Sequence, residues 1–409
     1  MTSARPVPAE HGLPPKNRTA DRRRAWTGPA LLGAGFRPFF LGAAVWSALA
    51  MALWIPALTG AIGIPTRLAP VDWHVHAMLY GYVPAVLAGF LLTAIPNWTG
   101  RLPVVGWPLA ALVVVWLAGR LAVAGSALVP SPLAAAIDLA FLPLLALVAA
   151  REIVAGRNWR NLPVLAAVLL VAAGNLAFHL EAPSGAAAQG YGARLGLATI
   201  VFLVLLIGGR IVPSFTRNWL AQRGPGRLPA PLGRFDALAL AAGGVALVGW
   251  IIAPDSPAAG VACLAAAALH LIRLWRWVGW RTTSEPLVTI LHLAYLFAPT
   301  GFLLAGFAAL GAGVPTSAAV HAWTAGLIGT MTLAVMTRAT LGHTGRKLTA
   351  GRATTAIYAA ILAAATFRVA AAFTPQHAAL LTASALLWIA AFAGFSLAFS
   401  KPLTRDRLP

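Results

Sequence analysis

Twelve apolar runs of about 18 to 27 residues, separated by short stretches that carry most of the charge, limit what this chain can fold into. A run of that length, wound as a helix at about 1.5 Å per residue, matches the roughly 30 Å hydrocarbon layer of a bilayer. In that layer the backbone must satisfy itself, which leaves helices or a closed barrel, and continuous apolar runs are a helix signal. The runs lie near 33–58, 73–97, 103–124, 132–152, 163–181, 192–214, 235–253, 257–276, 286–309, 315–341, 353–373 and 377–400. Pro84, Pro143 and Pro299 fall inside runs, which blurs edges by about three or four residues. The expected fold is an all-α, polytopic integral membrane protein with about 12 transmembrane helices.

Composition agrees. The chain is 59% hydrophobic and 10% charged, whereas soluble domains are about 25% charged. Its net charge of +20 is scattered over short loops and forms no continuous basic stripe, so nucleic acid is excluded as a partner and the lipid bilayer is the implied one. Residues 1–28 read as a disordered basic cytoplasmic tail with Arg5, Lys16, Arg18, Arg22, Arg23 and Arg24. It is not a cleavable signal peptide, since the run that follows is too long. Residues 29–402 form the twelve-helix transmembrane domain, and 403–409 a cytoplasmic C-terminal tail. When loops are assigned alternately to the two sides, only Arg67, Arg120, Arg194 and Arg368 fall opposite the rest of the 30 Lys and Arg. By the positive-inside rule both termini then face the cytoplasm.

That topology sorts the histidines into two layers. His74, His76, His179 and His321 lie toward the outer face, and His270, His292 and His343 toward the inner face. Between His321 and His343 a continuous helix would span roughly 33 Å, so the two cannot share a metal. An ionisable side chain inside a membrane is a functional candidate by default; the plainer reading is that each imidazole bonds a neighbouring helix or interfacial water. His74 and His76 point about 200° apart on a helix, so either the segment is not helical there or they serve different centres. Asp72 is the nearest acceptor in sequence that could fix an imidazole tautomer. The single cysteine, Cys263, rules out a thiolate cluster within the chain and leaves His as the main ligand. On the inner side, Arg210, Arg217, Arg338 and Arg346 are candidate anion or propionate clamps, with membrane anchoring as the alternative. His270 sits in HLIRLWRW, which resembles an ordinary basic interface.

Several segments together resemble the NnrS family of bacterial membrane proteins: GFRPFF at 35–40, WHVHAM at 73–78, GFLLTAIPNWTGR at 89–101, GGRIVPSFTRNWL at 208–220, PLVTILHLAY at 286–295 and MTLAVMTRATLGHTGR at 331–346. That family is reported to contain haem and copper and is linked to nitric oxide stress and denitrification. The resemblance implies haem and copper as cofactors, nitric oxide or a related nitrogen oxide as the small partner, the bacterial inner membrane as location, and a quinone or redox protein as electron donor. On this reading His74, His76, His179 and His321 are the metal ligands, and His292 and His343, with Arg210, Arg338 and Arg346, hold an inner haem centre. Position 77 is Ala where the family pattern has Glu. Similar helix ends near 95, 212 and 335 suggest three four-helix units, as in haem-copper oxidases, although the adjacent His-His pair of those oxidases is missing. Catalysis is left open; a transporter for a small anion or metal and a non-catalytic haem sensor or assembly factor are the alternatives.

Overall fold

The computed structural model describes residues 26–99, 103–374 and 378–407. His11, His377 and most of the basic tail predicted for 1–28 lie outside these. The described residues are helical with no strand, and twelve helices are long and apolar enough to cross a membrane. In chain order they are α1 (Phe36–Leu58), α2 (Pro70–Pro96), α3 (Trp107–Ala124), α4 (Ser131–Ala155), α5 (Trp159–Ser184), α6 (Tyr191–Leu220), α7 (Arg234–Ile252), α8 (Pro257–Arg281), α9 (Pro286–Ala309), α10 (Thr316–His343), α11 (Arg352–Ala371) and α12 (Ala378–Thr404).

Local chemistry sets the ends. At the start of α8 the Ser256 side chain accepts from the Ala259 amide, with Pro257 in the first turn. Glu285 caps α9 in the same way, ahead of Pro286. Both pair a capping side chain with a proline that has no amide to leave orphaned. Gly106, at φ 71°, adopts before α3 a left-handed conformation that side chains disfavour.

Helices α2 and α10 form the centre. In their most apolar 18-residue stretches 83% and 72% of residues are buried, against 33% in α3, α7, α11 and α12. The first and last helices pack together, and the Arg37 guanidinium donates to the carbonyls of Leu403 at 3.0 Å and Arg405 at 2.6 Å. The start of α1 and the end of α12 therefore share one side of the bundle, here termed the near side. This contact needs an even number of crossings.

Both central helices are irregular at their far-side ends. In α2 a π-helical segment, Ala77–Tyr82, follows His76, and in α10 another, Ala322–Gly329, follows His321. Pro84, just past the first of these, has no N–H for a carbonyl one turn back, and Arg120 Nη1 bonds the Tyr80 carbonyl at 2.9 Å. Trp116 Nε1 bonds the Gly81 carbonyl and Trp46 Nε1 the Ala77 carbonyl, each at 2.9 Å. Pro143 acts similarly in α4, which is interrupted between Leu139 and Phe141, one turn before the proline. Neighbouring side chains thus repair backbone that a bilayer could not.

Candidate metal centre

Four helices converge at the far side around one carboxylate. Asp138 lies in the first stretch of α4 and is 2% exposed. His76 Nε2 from α2 lies 3.0 Å from its Oδ2, and His179 Nε2 from α5 lies 2.9 Å from the same atom. Asn175, one turn before His179, donates through Nδ2 to Oδ2 at 2.9 Å, and its own Oδ1 lies 3.2 Å from His76 Nε2. Arg120, from α3, pairs with Oδ1. His76 and Arg120 are themselves 0% and 2% exposed, so the cluster sits in a low-dielectric interior where an unpaired charge is costly.

His76 Nε2, His179 Nε2 and an Asp138 oxygen all lie within 4.8 Å of one another, and theirs is the one such group among the described residues. An ion bonded at about 2.0–2.2 Å holds its ligand atoms about 3.0–3.5 Å apart, close to the separations of 2.9 and 3.0 Å from Asp138. Two neutral imidazoles and a carboxylate suit divalent first-row ions, Cu(II), Fe(II) and Zn(II) among them, better than soft Cu(I). The fit has one cost: His76 Nδ1 is buried without a partner, and it must carry the ring proton when Nε2 binds metal. Without an ion the same atoms form a closed hydrogen-bond set, with Arg120, Asn175 and both imidazoles donating to Asp138.

His74 takes a different direction from His76, as two positions on a helix dictate. Its ring stacks on Trp54 at 4.4 Å and 15°. His321, at the start of α10, has its Nδ1 2.7 Å from the Ser317 carbonyl, the contact that fixes a tautomer with Nε2 as the free nitrogen. Arg368 lies within electrostatic reach of both rings. The four predicted outer ligands thus form two groups, His76 with His179 and His74 with His321. Asp72 orients neither ring: its Oδ1 accepts from the Ala188 amide at 2.7 Å, and the carboxylate expected beside His76 is Asp138.

A second ion pair lies toward the near side. Arg273 of α8 donates through Nε to Asp236 of α7 at 2.9 Å, and through Nη1 to the Leu205 carbonyl of α6 and to Tyr295 Oη of α9, both at 3.0 Å. Since a guanidinium only donates, the tyrosine proton is free to go to His270 Nδ1 at 2.8 Å. His270 and Arg273 are 0% and 1% exposed, which corrects the reading of HLIRLWRW as a basic interface: α8 turns these two residues inward.

The remaining candidates are dispersed. His292 Nε2 meets Thr216 Oγ1 at 2.7 Å, and its Nδ1 is buried, with Gly279 against the ring. His343 packs against Phe36 with ring centroids 5.3 Å apart. Arg338 lies over the Phe215 ring at 4.1 Å; Arg210 and Arg217 are exposed and Arg346 half-buried. Arg120, assigned from sequence to the lightly charged side, is instead inside the bundle. Asp138, Arg120 and Asn175 were not named from the sequence as site residues, although an aspartate within PLAAAIDLAFLPLL is one of only 10 acidic residues, and a lone acid in an apolar run signals a buried partner.

A family model described as NnrS protein matches residues 30–407. No curated protein matches the chain.

Proposed function

We propose that this chain, which belongs to the NnrS family, is a haem- and copper-binding inner-membrane protein of the bacterial response to nitric oxide, with both termini cytoplasmic. The observation that carries the reading is the meeting of His76, Asp138 and His179, brought from three helices to one buried point. In this assignment those three residues hold the copper ion. Arg120 keeps Asp138 ionised as an anionic ligand, and Asn175 holds the carboxylate in place. A bound copper or haem supplies the one-electron chemistry that small nitrogen oxides require.

For haem the residues that fit best are His321 and Arg368. His321 has one nitrogen committed to a backbone carbonyl, and Arg368 is a cation within electrostatic reach of the His321 and His74 rings, suited to a propionate. His74, beside them, is the second ring of this group. His270 and His292 fit less well, because the backbone at Gly243 and Gly279 lies against their rings.

The test is full-length protein purified in detergent, measured for iron, copper and the Soret band. The expected result is metal in the wild type, its loss from the copper pool in His76→Ala, His179→Ala and Asp138→Asn, and loss of the Soret band in His321→Ala alone. Wild-type protein with neither metal would refute the assignment, as would copper retained in all three variants. A C-terminal reporter fusion active only in the periplasm would overturn the orientation.

A further inference from the structure

Arg120 does more than neutralise Asp138. One guanidinium spans two things the site depends on: Nη2 pairs with Asp138 Oδ1, while Nη1 bonds the Tyr80 carbonyl at 2.9 Å and reaches that of Gly81 at 3.4 Å. Those carbonyls belong to the π-helical segment directly after His76. The segment runs in the π register, the Val83 amide bonding the Met78 carbonyl, and Pro84 cannot donate to the turn before it; the Arg120 guanidinium anchors that turn from a neighbouring helix. Tyr80 is pinned from its other end, its hydroxyl donating to the Gly192 carbonyl at 2.6 Å. Gly81 admits this approach because a Cβ there would lie 3.2 Å from Arg120 Cδ and 2.7 Å from Trp46 Nε1.

We infer that Arg120 is the positioning residue of the His76–Asp138–His179 centre, fixing the direction of His76 through the π-segment and the placement of the carboxylate through the ion pair. This rests on the metal-site reading above. A lysine keeps the positive charge but is a single point donor, and cannot hold a carboxylate and a carbonyl on a second helix with a planar fork. Outer partners of this kind typically change metal affinity about 10- to 100-fold.

The experiment loads metal-depleted, full-length protein with Co(II), whose visible bands report ligand geometry. Wild type, Arg120→Lys and Pro84→Ala are compared. Pro84→Ala touches neither ligand nor ion pair; it returns an N–H at position 84 to the turn that Arg120 holds, and so alters the π-helical geometry on which the direction of His76 depends. The expected result is about a 10-fold or greater weakening of Co(II) binding and shifted bands in Arg120→Lys, with a smaller band shift in Pro84→Ala. Wild-type affinity and spectrum in Arg120→Lys would overturn the inference. If Arg120→Lys does not fold, Pro84→Ala decides: shifted bands support the inference and an unchanged spectrum overturns it. Wild-type protein that takes up no Co(II) would instead sink the metal-site reading itself.

Discussion

Arg120 with Asp138 and Arg273 with Asp236 are both ion pairs sealed inside the helix bundle, and each arginine also bonds a backbone carbonyl on a third helix. They differ in where the histidines stand. Around Asp138 two imidazoles address the carboxylate oxygen that the arginine leaves free. Around Asp236 the second oxygen is taken by the Gly233 amide of its own helix start, at 3.1 Å, and His270 is reached only through Tyr295. The first pair therefore leaves donor atoms that can converge on an ion, and the second consumes its own. A buried charge pair is consistent with either role; the free lone pairs around it distinguish a site from a strut that ties α6, α7, α8 and α9 together.

The largest effect should come from breaking the far-side pair chemically. Asp138→Asn is expected to lower bound metal by about 10-fold or more while Asp236→Asn leaves metal per folded molecule unchanged, both read by elemental analysis. Equal losses in the two variants would erase the distinction. Next, Arg273→Gln strands the buried Asp236 carboxylate and should cost about 3–5 kcal/mol of stability, seen as a lower unfolding temperature in detergent with metal content intact. Replacing Arg273 and Asp236 together by Met and Leu should recover most of that loss, since a buried ion pair exchanged for apolar groups is often neutral or stabilising by about 1–4 kcal/mol. The same double exchange at Arg120 and Asp138 should recover stability but not metal. The smallest effect is expected from Tyr295→Phe, which removes one hydroxyl between two partners, at about 0.6–1.7 kcal/mol on the scale of hydrogen bonds measured inside membranes; any loss of metal there would give the near-side pair a role in binding.

The two regions were not equally visible beforehand. His76 and His179 stand out as imidazoles in apolar runs, and Tyr295 follows His292 at a helical interval. Arg120, near the end of α3, looks the same in sequence as a loop arginine that sets topology, and only the packing of α3 against α4 shows that it is paired. Arg273 was hidden by the basic residues around it, because the sequence of α8 does not say which of its faces meets α7 and α9.

What the sequence determined by itself was the number and length of the crossings. The bilayer thickness fixes how long an apolar helix must be, and the demand that backbone groups pair locally makes each crossing readable from its own residues. The predicted runs and the observed helices accordingly agree, with modest extensions such as α6 continuing to Leu220. What only the tertiary structure decided was which side chains meet. Helical periodicity says that His74 and His76 diverge, but not that one finds Trp54 and the other Asp138, because those partners lie on other helices. The neighbours of each face are chosen by side-chain packing summed over the whole bundle, a non-local quantity that no single stretch of sequence carries.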